Sequence, residues 1–248
     1  MERIIEKPHL PKGKVRCLII GEKYCKMLEK PLYDRKIDVI CAKNNDFVDE
    51  RLSGHVDLSM VHGGGNVMYA AEHLKDSENI HKIIDRGFSV NYLPNPLDIE
   101  YPADAGMNVC IIGDCVICNP KTANQELLRG LRIISCKQGY TKCSTVVVDE
   151  RSIITSDKLI AANSVLYGIE AFLVNDSFVR LQGFDKGFIG GAAFKISEDV
   201  MAFTGVIKND EARKSIEAFL HERGIAAEYL TDDEIFDIGS AIPIIEEI

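Results

Sequence analysis

The run DIGSAIPII, Asp237–Ile245, decides how the chain folds. Its Ala241-Ile242-Pro243-Ile244-Ile245 core has strand length and strand composition, and no helical pattern follows it. A lone strand of this kind needs a partner. The place for it becomes visible only once the rest of the chain is read as a repeat.

Four segments share one grammar: two apolar strands joined by a tight turn, a helix closed by glycine, and a third strand. The fourth unit gives it most plainly, with CSTVVV (143–148), DER (149–151), SIITS (152–156), DKLIAANSVLY (157–167), Gly168 and IEAFLV (169–174). The second unit runs HVDLSMV, HGGG, NVMYAAE, helix DSENIHKIIDR, Gly87 and FSVNYL. The third runs MNVCII, GD, CVICN, helix KTANQELLR, Gly130 and LRIIS. The fifth runs GGAAFKI, SED, VMAFTG, helix NDEARKSIEAFLHER, Gly224 and IAAEYL. Short runs of Val, Ile and Ala suit strands, and GD and DER suit hairpins. Apolar residues recur at helical spacing, as in Ile80, Ile83 and Ile84 or Ile216, Phe219 and Leu220. Gly87, Gly130, Gly168 and Gly224 stand where a helix ends through a left-handed residue. One such glycine means little; four in register mark a repeat.

The first unit, KVRCLIIG, EKYCKMLEKPLYDRK and IDVICA, lacks a first strand. DIGSAIPII supplies it. The sequence therefore predicts a single closed domain over 1–248, an α/β propeller of five strand-strand-helix-strand blades, with the first completed by the C-terminal strand. Approximate blade limits are 236–248 plus 14–43, then 54–93, 104–136, 140–176 and 188–231.

Composition narrows the function. The chain is 46% hydrophobic and 27% charged, ordinary for a soluble globular protein. A net charge of −9 argues against non-specific nucleic-acid binding, which needs a basic face. No apolar run reaches membrane length, and MERIIEKPHLPKGK has no signal-peptide core. The expectation is a cytoplasmic protein with no membrane partner, its eight scattered cysteines reduced thiols. The CVIC pair, Cys115 and Cys118, sits in a strand whose residues three apart face opposite ways, so neither a metal nor a cofactor is expected. The glycine-rich HGGGN leads into a strand rather than a helix, unlike a phosphate-cradling loop. YLPNPLDIEYPADAG is proline-rich and non-helical, a lid or crossing segment whose Asp104 can reach the axis.

Five such blades resemble the pentein fold of the guanidine-modifying enzymes: arginine and agmatine deiminases, dimethylarginine hydrolases and amidinotransferases. QGYTKCST, SIITSD, GFIGG and DIGSAIP are more closely similar to a bacterial family assigned to that fold without a known activity. In the enzymes resembled, a Cys, a His-x-Asp two blades earlier, a carboxylate ahead of the next blade and a Glu in Glu-Gly-Gly-Asp line the axis. Here Cys143 opens the fourth blade, and His55 and Asp57 open the second on what reads as an alternating strand. Asp185 precedes the fifth, and Asp237 stands at the Glu position, with Ile238-Gly239-Ser240 departing from the family pattern. Taken round the ring, the order matches a circularly permuted enzyme.

The resemblance implies Cys143 as nucleophile, His55 as acid and base, Asp57 and Asp185 as guanidinium holders, and Asp237 orienting His55. The chemistry suits these residue types. A guanidinium is a planar cation gripped well by carboxylates, and its poorly electrophilic carbon calls for a thiolate. The partner is then a small cationic guanidine or amidine and the activity a thiol-dependent hydrolase. An amidinotransferase, or a non-catalytic pentein serving as a ligand sensor or protein-interaction module, uses the same residues. Taken singly, Cys143 also reads as a packed strand residue, Asp185 as a turn residue in GFDKG, and Asp237 as part of an acidic tail.

Overall fold

Residues 1–248 are described by a computed structural model. The strands are β1 (Glu2–Ile4), β2 (Lys14–Gly21), β3 (Asp38–Ala42), β4 (Met60–Gly64), β5 (Val67–Ala71), β6 (Ser89–Leu93), β7 (Cys110–Ile112) and β8 (Cys115–Cys118). They continue as β9 (Arg132–Ser135), β10 (Thr145–Asp149), β11 (Ser152–Thr155), β12 (Glu170–Leu173), β13 (Ala193–Ser197), β14 (Val200–Phe203), β15 (Ala226–Tyr229) and β16 (Ile242–Glu247). Four α-helices are interleaved: α1 (Glu22–Tyr33), α2 (Glu78–Asp85), α3 (Lys158–Val165) and α4 (Asp210–His221).

Hydrogen bonding gathers the strands into five small sheets. Four are three-stranded and follow chain order, each an antiparallel hairpin whose second strand takes a parallel third. The remaining sheet has the order β1-β16-β2-β3. Within it β16 runs antiparallel to β2, pairing Ile242 with Ile19 and Glu247 with Lys14. The C-terminal strand thus supplies the missing first strand of the first blade. A short β1, which the repeat pattern does not show, pairs with the edge of β16 that faces away from β2.

Five apolar seams join the sheets in a cycle. Met60 and Met68 of the second blade pack with Ile19 and Ile242 of the first. Val61 meets Ile111 and Val116 of the third, and Ile112 and Ile134 meet Val147 and Ile153 of the fourth. Val146 and Ile154 pack with Met201 and Phe203 of the fifth, whose Phe194 and Ala202 return to Leu18 and Ile20. Every blade buries both faces. The chain is a closed five-bladed α/β propeller.

Local chemistry sets the helix starts. Asp157 caps α3 by accepting from Leu159 N and Ile160 N, both at 2.8 Å, and Asn209 caps α4 by accepting from Ala212 N at 3.0 Å. The four blade-closing glycines have φ of +93°, +76°, +76° and +68° at Gly87, Gly130, Gly168 and Gly224.

Three expectations need correction. KTANQELLR forms a 3-10 turn over Gln125–Leu128 instead of an α-helix. Asn119 and Asn124 side chains accept Lys121 N and Glu126 N, holding the backbone in local turns that compete with a helical ladder. In HVDLSMV the strand starts only at Met60; Val56–Leu58 is a 3-10 turn, so His55 and Asp57 do not lie on an alternating strand. Finally, Cys25 of α1 and Cys41 of β3 are joined in a disulfide, because the helix lays its first turn across that strand with the two Cα atoms 6.0 Å apart. The other six cysteines are free and buried. No helix is long and apolar enough to cross a membrane.

Ring closure has its own polar fastening. Glu246 of β16 is buried; it pairs with Arg3 at 2.9 Å and accepts Gly13 N at 2.8 Å and Lys12 N. Glu246→Ala leaves two backbone donors without their acceptor, an expected loss of about 2–4 kcal/mol of unfolding free energy. Urea unfolding measures it, and a loss under about 1 kcal/mol contradicts the assignment.

Candidate active site

The residues that enter each blade's first strand converge on the axis. Asn108, Cys143, Gly191 and Ser240 each stand two positions before β7, β10, β13 and β16. Hydrogen bonds lace them together. Cys143 N donates to Asn108 Oδ1 at 3.2 Å, Gly191 N to Cys143 O at 2.9 Å, and Ser240 N to Gly191 O at 2.9 Å. Asp57 N donates to Gly239 O at 3.3 Å, bringing in the second blade. The result is an inner ring whose side chains meet in one place.

Glycine is required where that ring is tightest. A Cβ on Gly191 would lie 1.9 Å from Asp237 Oδ1, and one on Gly190 would lie 2.4 Å from Thr145 O. Gly239, at φ +68°, lies so close to His55 that a Cβ would meet its Cα at 2.3 Å. These contacts account for the GFIGG and DIGS stretches.

Cys143 Sγ donates to Asp57 Oδ2 at 2.9 Å and accepts from Asn108 Nδ2 at 3.4 Å. Asp237 accepts Phe188 N at 2.9 Å and Gly239 N at 2.8 Å, and its Oδ1 lies 3.9 Å from His55 Nδ1. One ligand-type atom each of His55, Asp57 and Cys143 lies within 4.8 Å of the others. Two polar atoms in this cluster have no protein partner, His55 Nε2 and Asp57 Oδ1. Above the cluster opens a cavity of about 370 Å³ lined by His55, Cys143 and Asp237 and walled by aromatic residues. His55, Asp57 and Cys143 are also the residues that could hold a soft divalent cation.

Burial dominates the electrostatics. It pushes the Cys143 thiol well up, and the neighbouring Asp57 and Asp237 charges push the same way. It raises the Asp57 carboxyl to about 7, against the opposing hydrogen bond from Cys143 and the charge of Lys142. It lowers His55, with Asp237 acting in the opposite direction. Both shifts favour uncharged forms, a neutral thiol beside a carboxyl that keeps its proton far above the ordinary carboxylate range.

Of the five residues expected at the site, four come together: Cys143, His55, Asp57 and Asp237. Asp185 does not. It is exposed on the segment 181–187, where Phe184 and Lys186 line the cavity and Asp185 borders an outer depression with Tyr24 and Arg180. Asp104 is buried and accepts the Tyr140 hydroxyl at 2.5 Å, fixing that ring at the cavity wall. Sequence reasoning missed Asn108 and Ser240, although both occupy the same pre-strand position as Cys143. It also passed over Lys142, whose buried ammonium donates to Ser240 Oγ at 2.7 Å and Gly190 O at 3.1 Å.

The raised Asp57 carboxyl couples stability to pH. Its folded value near 7 exceeds the ordinary 3.8, so the folded chain holds a proton that the unfolded chain releases between the two. Stability is therefore lost as pH rises through that window. Asp57→Asn removes the dependence: relative to wild type, the variant should gain on the order of 2–4 kcal/mol between about pH 4 and about pH 8. Urea titrations at the two pH values test this, and an unchanged difference contradicts it.

Comparison with known proteins follows the same lines. No curated protein matches the chain by sequence. Among solved structures, the inosamine-phosphate amidinotransferase StrB1 from Streptomyces griseus is similar with a TM-score of 0.60 at 11% identity, over 98% of this chain and 97% of that one. SxtG, an amidinotransferase from Microseira wollei in the saxitoxin biosynthetic pathway, gives 0.57 at 10%, over 90% and 91%. DDAH from Pseudomonas aeruginosa gives 0.53 at 9%, over 87% and 92%. At such identities the likeness establishes the pentein fold and nothing finer. A family profile matches residues 19–242, and the chain therefore belongs to that family, DUF6873, described as a family of unknown function.

Proposed function

We propose that this pentein hydrolyses a small guanidine or amidine through a covalent intermediate on Cys143. The observation that carries the reading is the cavity lined by Cys143, His55 and Asp237, with the buried Cys143–Asp57 hydrogen bond beneath it and His55 Nε2 and Asp57 Oδ1 both unpartnered in the cluster. An uncompensated acceptor on a buried carboxylate suits a cationic donor.

The resting thiol is protonated, so the ligand must help to ionise it. A unit positive charge about 4 Å away, at an effective dielectric near 20, contributes about 4 kcal/mol, or about three pK units. The same charge opposes protonation of His55, so proton transfer from Cys143 to His55 gains only the difference, which is favourable when the cation lies nearer the sulfur than the imidazole. Asp57 Oδ1 accepts a guanidinium N–H and holds the carbon over the sulfur. Attack forms the S–C bond, and the C=N π pair moves onto nitrogen. His55 returns its proton to the departing amine as the C–N bond breaks, leaving an amidino group on sulfur. Water then attacks that carbon, with His55 taking a water proton; the C–S bond breaks as the adduct's hydroxyl proton passes to sulfur, restoring the thiol and releasing a urea or amide, and His55 gives its proton to solvent. Asp237, 3.9 Å from Nδ1, favours the protonated imidazole between these steps.

The protonated resting thiol also fits a second reading, a ligand sensor that binds the same cation without turnover. A haloacetamidine, which pairs an amidinium head with a thiol-reactive carbon, separates the two. Under the hydrolase reading it labels Cys143 at least tenfold faster than the other five free thiols, and guanidine turnover is lost in Cys143→Ser and His55→Ala while chelators leave it unchanged. Peptide mapping reads the labelling. Even labelling of all six sites sinks both readings; selective labelling with guanidines bound but left intact favours the sensor.

A further inference from the structure

The cavity above Cys143 carries more information than its floor. We propose that its ligand bears an apolar alkyl or aryl substituent on the guanidine or amidine head, in place of a charged amino-acid tail. This rests on the reading above for the head group; the tail is argued from the walls.

Four aromatic rings, Tyr101, Tyr140, Phe184 and Phe188, line the cavity together with Leu52, Leu58 and Leu181. Two of the rings are held in place. Tyr101 and Tyr140 pack tilted at 54° with 5.1 Å between centroids; the Tyr101 hydroxyl accepts Gly139 N at 3.0 Å and the Tyr140 hydroxyl donates to Asp104. A fixed apolar wall binds an apolar tail without first paying to order itself. At about 370 Å³ the cavity sits near the lower end of small-molecule sites, about 300–1,000 Å³.

An amino-acid carboxylate would need a free cation at the wall. Lys186 lines the cavity, but its Nζ lies 2.5 Å from Asp176 Oδ1, and Asp176 is fully buried. Drawing Lys186 to a ligand would strand that carboxylate in the interior, at a cost exceeding what a half-exposed ligand carboxylate returns. Arg51 lies over the Phe184 ring at 4.1 Å, but it is bound to Asp49 at 2.6 Å and to Gly183 O at 2.8 Å. Gln138 Oε1 is taken by Tyr140 N at 3.0 Å. Both cations near the mouth are thus committed to carboxylates, and only uncharged groups such as Gln138 Nε2 are left there, whereas His55 Nε2 in the floor has no protein partner.

The test is calorimetric titration of the wild-type chain with methyl-, butyl- and hexylguanidine, agmatine and arginine. Affinity should rise about fourfold per methylene along the alkyl series, with hexylguanidine at least tenfold tighter than agmatine and arginine weaker still. Phe184→Ser, at an exposed ring, should flatten that chain-length slope while leaving methylguanidine unchanged. Agmatine or arginine binding as tightly as the alkyl homologues overturns the apolar tail and leaves the guanidine reading standing. Failure of every guanidine to bind overturns both.

Discussion

Antiparallel pairing of β16 with β2 is the constraint on which the rest depends. It turns a linear array of blades into a ring and gives the first blade its inner strand. Without it Asp237, Gly239 and Ser240 would have no fixed relation to His55 or Lys142, and the inner ring of backbone bonds would be open between the first and second blades. The buried Glu246 reinforces the closure by tying β16 to Arg3 and to the backbone at Lys12 and Gly13.

Closure has an electrostatic consequence. It gathers Asp57, Asp237 and a thiol in a water-poor centre, against one buried ammonium at Lys142. Burial then opposes further negative charge, which keeps the Cys143 proton on sulfur and lifts the Asp57 carboxyl. Such a centre is short of positive charge. A cationic ligand supplies it and relieves the unpartnered Asp57 oxygen in the same act, so binding and activation of the thiol become one event. The glycines pressed on Asp237 and His55 serve this arrangement: a side chain at Gly191 or Gly239 would displace the groups that define the floor.

Much of this was legible in the sequence because repetition averages out local ambiguity. The ring, its closure by the C-terminal strand and the blade-ending glycines all followed from aligned units. Cys143, His55, Asp57 and Asp237 were picked out by laying the pattern of the resembled enzymes on the ring order, which needs only the start of each blade. What escaped depends on details below that scale. The third blade lost its helix to asparagine side chains that captured the backbone, a competition that periodicity does not register. His55 and Asp57 meet the axis from a 3-10 turn, so strand alternation gave a convergence of side chains for the wrong reason. Asp185 failed because its neighbours Phe184 and Lys186 took the inward positions, a choice of side made by packing in an irregular segment. The Cys25–Cys41 pair was hidden because it depends on how a helix crosses a strand.

The central claim is that a cation entering the cavity ionises a thiol that is otherwise protonated. Ultraviolet difference absorbance of the thiolate, recorded at neutral pH during titration with a guanidinium ligand, tests it most directly. The account predicts no thiolate signal in the free protein, a signal that saturates with ligand, and none in Cys143→Ser. A thiolate already present without ligand, or a saturated complex in which none forms, would contradict it.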